Sequence, residues 1–302
     1  MPNFFQQITG LLRDPAPDFV FEITEAGIAW ARPSLGLPPS FEPLEPGILA
    51  VSPLTDNVLK PDALADVIRR ITNTAVGRRK GSAVVILPDF CSRVTVLSFD
   101  KFPTDPAEQL SLVRFRMKKS VPFDVDSAVV SYHAQPSSGK NNKVDVVVAL
   151  AALEIVARYE AAFRAAGLHP GCVTTASLAM ADLTVTQGIT LLSRLAGRHL
   201  SVLVISGSTI KLARTVELLD VSADEVLSVL FPTLAYIEDE LGSVANRLNL
   251  IGFEQAGRIP DWVSELQIPV EPLGPRFGAP TGLNAGVLGY LESIKAGGSK
   301  AA

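Results

Sequence analysis

Asp124 and Asp126 stand two apart on a segment that Pro122 keeps out of a helix, so both carboxylates fall on one side of an extended chain. A metal site or an acid/base pair would need that spacing, but a turn leading into a strand needs it too, and the turn is the plainer reading. His133, His169 and His199 are the only histidines, and none lies in a Ser/His/Asp or metal-ligand grouping. His169, beside Pro170 and after Gly167, suits a helix C-terminus. No histidine-centred catalysis is expected. Cys91 and Cys172 lack CxxC spacing and read as reduced, small apolar residues, not as a disulfide or a zinc site. Ser138-Gly139-Lys140 invites comparison with a phosphate loop, yet it joins two strand-like runs instead of opening a helix and lacks the P-loop spacing, so it reads as an exposed turn.

Arg114, Arg116, Lys118 and Lys119 concentrate positive charge at the end of one helical run. The negative end of the helix and simple solvation account for the cluster, and an acidic partner or anionic lipid is the sharper alternative. Arg114 and Lys118, four apart, share a face, while Phe115 and Met117 are expected to point elsewhere. The whole chain is mildly acidic, with 27 basic against 31 acidic residues. That balance gives no concentrated positive surface for nucleic acid.

A chain of 302 residues with 47% hydrophobic content can hold two domains, or one with an insertion. Asp18 to Arg32 reads as a hairpin around Glu25 and Gly27, followed by the Pro-rich interval Pro33 to Pro53, in which Ile48, Leu49 and Val51 could add a short strand. Pro61 to Val76 reads as a helix and Ala83 to Leu87 as a buried strand. From residue 93 the order is strand Val94 to Phe99, helix Pro106 to Lys119, strand Ala128 to Ala134, strand Val144 to Leu150 and helix Glu154 to Ala166. Thr104 or Asp105 caps the first of these helices, and Pro122 stops it. Val173 to Leu183 suggests a helix, Leu200 to Ile205 and Thr209 to Arg214 strands. Ser222-Ala-Asp-Glu225 is a capping box that opens a helix bent at Pro232. Shorter pieces close the chain: strand Asn249 to Phe253, helix Ile259 to Leu266, strand Val270 to Leu273 and helix Gly286 to Ile294.

The N-terminus lacks the basic start and unbroken apolar core of a signal peptide, and no apolar run approaches the roughly 20 residues of a membrane span, so a cytoplasmic protein is expected. Phe4, Phe5, Ile8, Leu11 and Leu12 fall at helical spacing. They suit a helix packed on its own domain, or one docked on a membrane surface or partner.

Val84-Val-Ile-Leu-Pro-Asp, Phe102-Pro, Lys118-Lys-Ser-Val-Pro-Phe-Asp-Val-Asp with Ser131-Tyr, and Tyr159-Glu-Ala-Ala-Phe-Arg-Ala-Ala-Gly-Leu-His-Pro resemble the PilM family of type IV pilus assembly proteins. That family belongs to the actin-like superfamily with the cell-division protein FtsA. The resemblance covers roughly Ala83 to Leu183 and implies an α/β, two-lobed actin-like fold with an inserted β-α-β-β-α subdomain. The implied division is 1–92 with 169–196 as subdomain 1A, 93–168 as the inserted 1C, 197–296 as 2A and 2B, and 297–302 as a disordered tail. A related type II secretion component is a further possibility, but that family continues into a membrane span.

Actin-like ATPases hold nucleotide with two Asp/Glu-x-Gly hairpins, whose carboxylates organise hydrated Mg2+ while the glycine admits the phosphates, and with a Gly-Gly turn at the adenosine. The resemblance implies three departures here. Glu22-Ile23-Thr24 has Thr24 in place of glycine, Leu203 to Gly207 lacks an acid, and Gly252-Phe253 would crowd a nucleotide with its ring. Glu22, Gly207 and Gly252 are therefore expected as remnants of a nucleotide site, without ATPase activity and without a cofactor, the alternative being an ATPase or switch that binds ATP with Mg2+. The implied role is a scaffold of the pilus inner-membrane platform in twitching motility. It would reach the membrane only by binding the cytoplasmic tail of a PilN-like protein, alongside other platform components and possible self-association. The tail would dock between 1A and 1C, near Arg114, Lys118, Pro122 and Phe123.

Overall fold

The computed structural model describes residues 16–73, 81–136, 143–184, 187–253 and 260–298. Phe19–Thr24 (β1) and Gly27–Ala31 (β2) form the expected antiparallel hairpin, and Ser40–Pro43 (β3) adds to its outer side. Ser82–Leu87 (β4) pairs parallel with β1, and His169–Thr175 (β8) pairs parallel with β4, giving the order β3-β2-β1-β4-β8. Every residue of β1 is buried because helices cover both faces of this sheet. Phe19, Phe21 and Ile23 pack with the helices Pro61–Asn73 (α1) and Leu153–Ala165 (α3). Val20 faces the other way, towards Ala176–Met180 (α4) and the final helix Ala285–Gly298 (α6). The period of two along the strand puts Glu22 on that second face.

The second sheet has the order β11-β10-β9-β12, from Thr209–Glu217, His199–Ser206, Ile189–Ala196 and Arg247–Ile251. Ile189, Leu191 and Leu195 of β9 pack under the helix Ala223–Leu241 (α5), so Thr190, Leu192 and Arg194 face the first lobe. Pro232 stands inside α5 without ending it, and the Ser222 hydroxyl caps it by accepting the Glu225 N–H. The Glu225 carboxylate accepts from the Leu219 N–H, so the capping box is only half formed.

Arg93–Phe99 (β5), Val129–Ala134 (β6) and Val144–Ala151 (β7) make a third sheet of order β5-β7-β6. Pro106–Met117 (α2), capped by Asp105, covers one face with Val113 and Met117. The other face, with Val94 and Val147, packs on Leu192, Leu203 and Ile210 of the second sheet. Gln135 fastens it there: its side chain donates to the Ile210 carbonyl and accepts the Ile210 N–H, both at 2.7 Å.

Several sequence expectations change. The inserted unit does not extend to residue 168, because Ile155, Tyr159 and Phe163 of α3 are buried in the first lobe's core. Of the helix expected over Val173 to Leu183, Val173 to Thr175 are strand, since pairing with β4 outweighs local preference, and the helix begins at Ala176. Ile48 to Val51 contributes only a bridge, Leu49 with Val58, and Val270 likewise bridges Leu248. Residues 261–266 form a 3-10 turn, and residues 297 and 298 belong to α6. The expectations for residues 1–15, for Ser138-Gly139-Lys140 and for 299–302 lie outside the described residues. Among the described residues no helix is long and apolar enough to cross a membrane.

Replacing Gln135 by Leu leaves the buried Ile210 N–H and carbonyl without partners. Denaturant unfolding should show a loss of about 2–3 kcal/mol.

Candidate functional site

Arg194 leaves β9 towards the first lobe and meets two carboxylates there. Its Nη2 donates to Glu22 Oε1 at 2.5 Å and to the Gly282 carbonyl at 2.6 Å, and its Nη1 donates to Asp89 Oδ2 at 3.3 Å. Glu22 comes from β1 of the first lobe, Asp89 from the turn after β4. All three side chains are at most 3% exposed. Ser201 Oγ of β10 donates to Asp89 Oδ2 at 2.7 Å, while the Ser177 N–H at the start of α4 donates to Asp89 Oδ1 at 2.6 Å. Glu22 Oε2 accepts the Val287 N–H, at the start of α6, at 3.0 Å. One guanidinium thus ties β1, the β4 turn and the loop before α6 to the second lobe.

The cluster carries one positive and two negative groups. Burial, with Asp89 adding to it, outweighs Arg194 and pushes the Glu22 carboxyl up to about 7 from the ordinary 4.5. A small cleft of about 200 Å³ opens beside the cluster, lined in part by Thr24, Asp89, Arg194, His199 and Ser201. The His199 ring stacks on Phe90 at 4.5 Å, and burial lowers its pKa. A second cavity, of about 300 Å³, lies at the other end of β12. There Arg247 pairs with Glu271 at 3.1 Å and Arg276 with Glu292 at 3.9 Å. Among the described residues no group of His, Cys, Asp or Glu could hold a metal ion.

The residues do not fit a Mg2+-nucleotide. Glu22 is spent on Arg194 and Val287, and Thr24 uses its hydroxyl within its own hairpin, donating to the Gly27 carbonyl at 2.9 Å. The cleft is smaller than the roughly 300–1,000 Å³ of typical ligand pockets. Gly252 (φ 79°) does sit near the cluster: a Cβ there would overlap the Leu195 carbonyl oxygen and press on Gly282, so the backbones close together with no gap. Phe253 points away into the second lobe's core, 5.6 Å from the Trp262 ring, and does not crowd the cleft as expected. Gly207 is not part of this site. It lies in the β10–β11 turn, at the far end of β10 from Ser201, and its N–H donates to the Gly188 carbonyl. The hairpin facing Glu22 is instead β9–β10, one hairpin earlier. Sequence reading missed Arg194 and gave Asp89 no role; the signal for Arg194 is a lone charge inside the largely apolar strand Ile189–Ala196, which a buried strand tolerates only when paired.

No protein-family model and no curated protein sequence matches the chain. Solved structures do. A chain of a PilM-PilN type IV pilus biogenesis complex superposes with a TM-score of 0.67 at 19% identity, over 92% of this chain and 98% of that one. A Bacteroides thetaiotaomicron protein of unknown function with an actin-like ATPase fold gives 0.50 at 10% identity, over 89% and 94%. The fold is actin-like. The cytoplasmic domain of EpsL, an inner-membrane component of the Vibrio cholerae type II secretion system, also gives 0.50, at 17% identity over 92% and 94%. The sequence resemblance to the PilM family therefore has a structural counterpart along nearly the whole actin-like chain.

Of the residues expected at a partner groove, Arg114 and Lys118 both engage Asp126. Arg114 turns inward and donates to the Asp126 and Ala128 carbonyls, bracing the entry to β6. Lys118 lies 3.8 Å from Asp126 in an exposed pair. Pro122 is exposed, and Phe123 packs against the core under α2. Asp124 accepts the Asp126 N–H at 3.1 Å, which makes this segment the turn that the spacing suggested.

Replacing Arg194 by Met strands Glu22 and Asp89 and should cost about 3–5 kcal/mol. Glu22 has a raised folded pKa, so its contribution is complete below about pH 4.5 and is lost as pH rises through about 7. Denaturant titrations should show that loss in the natural chain, flattened in Glu22→Gln. The penalty of Arg194→Met should grow between pH 5 and pH 8.

Proposed function

We propose that this chain is a PilM-like scaffold of a type IV pilus inner-membrane platform that binds the cytoplasmic tail of a PilN-like protein and neither binds nor hydrolyses ATP. The observation that carries the second half is Arg194 lodged between Glu22 and Asp89. A fixed guanidinium takes the carboxylates that a hydrated Mg2+ would use, and it adds no reactive water. The first half rests on the likeness to the chain from a PilM-PilN complex. The protein then works at the inner face of the membrane through its partner.

The docking site proposed here is the junction of the inserted unit with the first lobe. β6 is an edge strand among the described residues, and Val129 at its start is 40% exposed. Val129 pairs with Ala151, two residues before Leu153, which is 53% exposed. An extended tail could bond along the free edge and lay apolar side chains over these two.

Two measurements separate this reading from an ATP-binding switch. A saturating Mg-ATP addition should leave the melting temperature unchanged, since any ligand bound to the folded state must raise it; a clear rise refutes the pseudo-nucleotide reading. A peptide from the tail of the neighbouring membrane protein should bind in calorimetry. Val129→Asp and Leu153→Asp should each weaken it at least tenfold, whereas undiminished binding would move the groove elsewhere.

A further inference from the structure

Phe115 is 76% exposed on α2, and among the described residues Leu219 alone of the large apolar side chains is more exposed. Lys118, the C-cap, follows it at three positions on the same side of the helix end, and Lys119 comes next in the turn that leaves the helix. Arg116 stands beside them with its guanidinium 5.2 Å from the Phe99 ring, which holds it in place. The sequence places Arg114, Arg116, Lys118 and Lys119 together in a chain whose net charge is −4. Nearby acids are Asp126, paired with Lys118 at 3.8 Å, and the exposed Asp124 and Glu108. Arg114 is committed to carbonyls of its own unit.

We propose that this end of α2 contacts an anionic bilayer surface, with Phe115 inserted among the lipid headgroups and Arg116, Lys118 and Lys119 over their phosphates. An aromatic ring with so much of its surface in water stands clear of any groove wall. A flexible acidic peptide has no pocket in which to place such a ring, whereas the bilayer interface accepts it directly. The flanking cations match the surface potential of an anionic leaflet. Each basic residue near such a surface contributes about fivefold in affinity, so three of them bind weakly and reversibly. A contact of that strength suits a second point of attachment for a protein already held by another, and it stands or falls without any tail binding.

Sedimentation of the full chain with vesicles tests it. Binding should increase with the phosphatidylglycerol fraction, be absent on phosphatidylcholine alone, and weaken at high salt. Lys118→Glu with Lys119→Glu should lower it at least tenfold, and Phe115→Ser about fivefold, with circular dichroism unchanged because these side chains are exposed. Phe115→Trp should add blue-shifted emission on phosphatidylglycerol vesicles only. Vesicle binding untouched by these changes, no vesicle binding at all, or capture of a poly-glutamate peptide without vesicle binding would each overturn the proposal.

Discussion

A single guanidinium shared between two buried carboxylates decides the state of this molecule. Arg194 belongs to one lobe, while Glu22 and Asp89 belong to the other, and none of the three touches water appreciably. Separating the lobes would expose or strand all of them, so the cluster favours the closed arrangement far more than its net contribution to stability suggests. Two carboxylates around one cation leave an excess negative charge, and the proton that Glu22 holds near neutrality relieves it.

The rest of the structure closes around that point. Gly286 brings the start of α6 against Ile86, Glu22 and Ala176, and Gly289 lets α6 lie on α4 where any Cβ would overlap the Ala179 carbonyl. Val287 then delivers its N–H to Glu22. On the opposite flank, Gln135 ties the inserted sheet to β11, and Lys211 reaches Asp145 at 2.8 Å. The inserted unit is thereby held to the second lobe as well as to the first.

Much of this fold was legible because alternation and caps act locally: the β1–β2 hairpin, Asp105 before α2 and Ser222 before α5 lie where the residues put them. The family resemblance singled out Glu22, but not the Arg194 that it meets, since Arg194 lies 172 residues away and only the folded sheets bring them together. β9 escaped because Thr190, Ser193 and Arg194 interrupt its apolar residues, and that shifted the second hairpin to Gly207. Arg114 looked free on a helix face, although its reach to the Asp126 and Ala128 carbonyls is a tertiary fact. Phe115 was expected to point away from the basic face, whereas it stands 76% exposed one turn before the Lys118 cap.

The most direct test is a crystal structure grown with Mg2+ and a non-hydrolysable ATP analogue. Arg194 should remain bonded to Glu22 and Asp89, with no nucleotide between the β1–β2 and β9–β10 turns. Phosphates and Mg2+ seated at Glu22, with Arg194 displaced from it, would contradict the assignment of this cleft as one already filled by the protein's own cation.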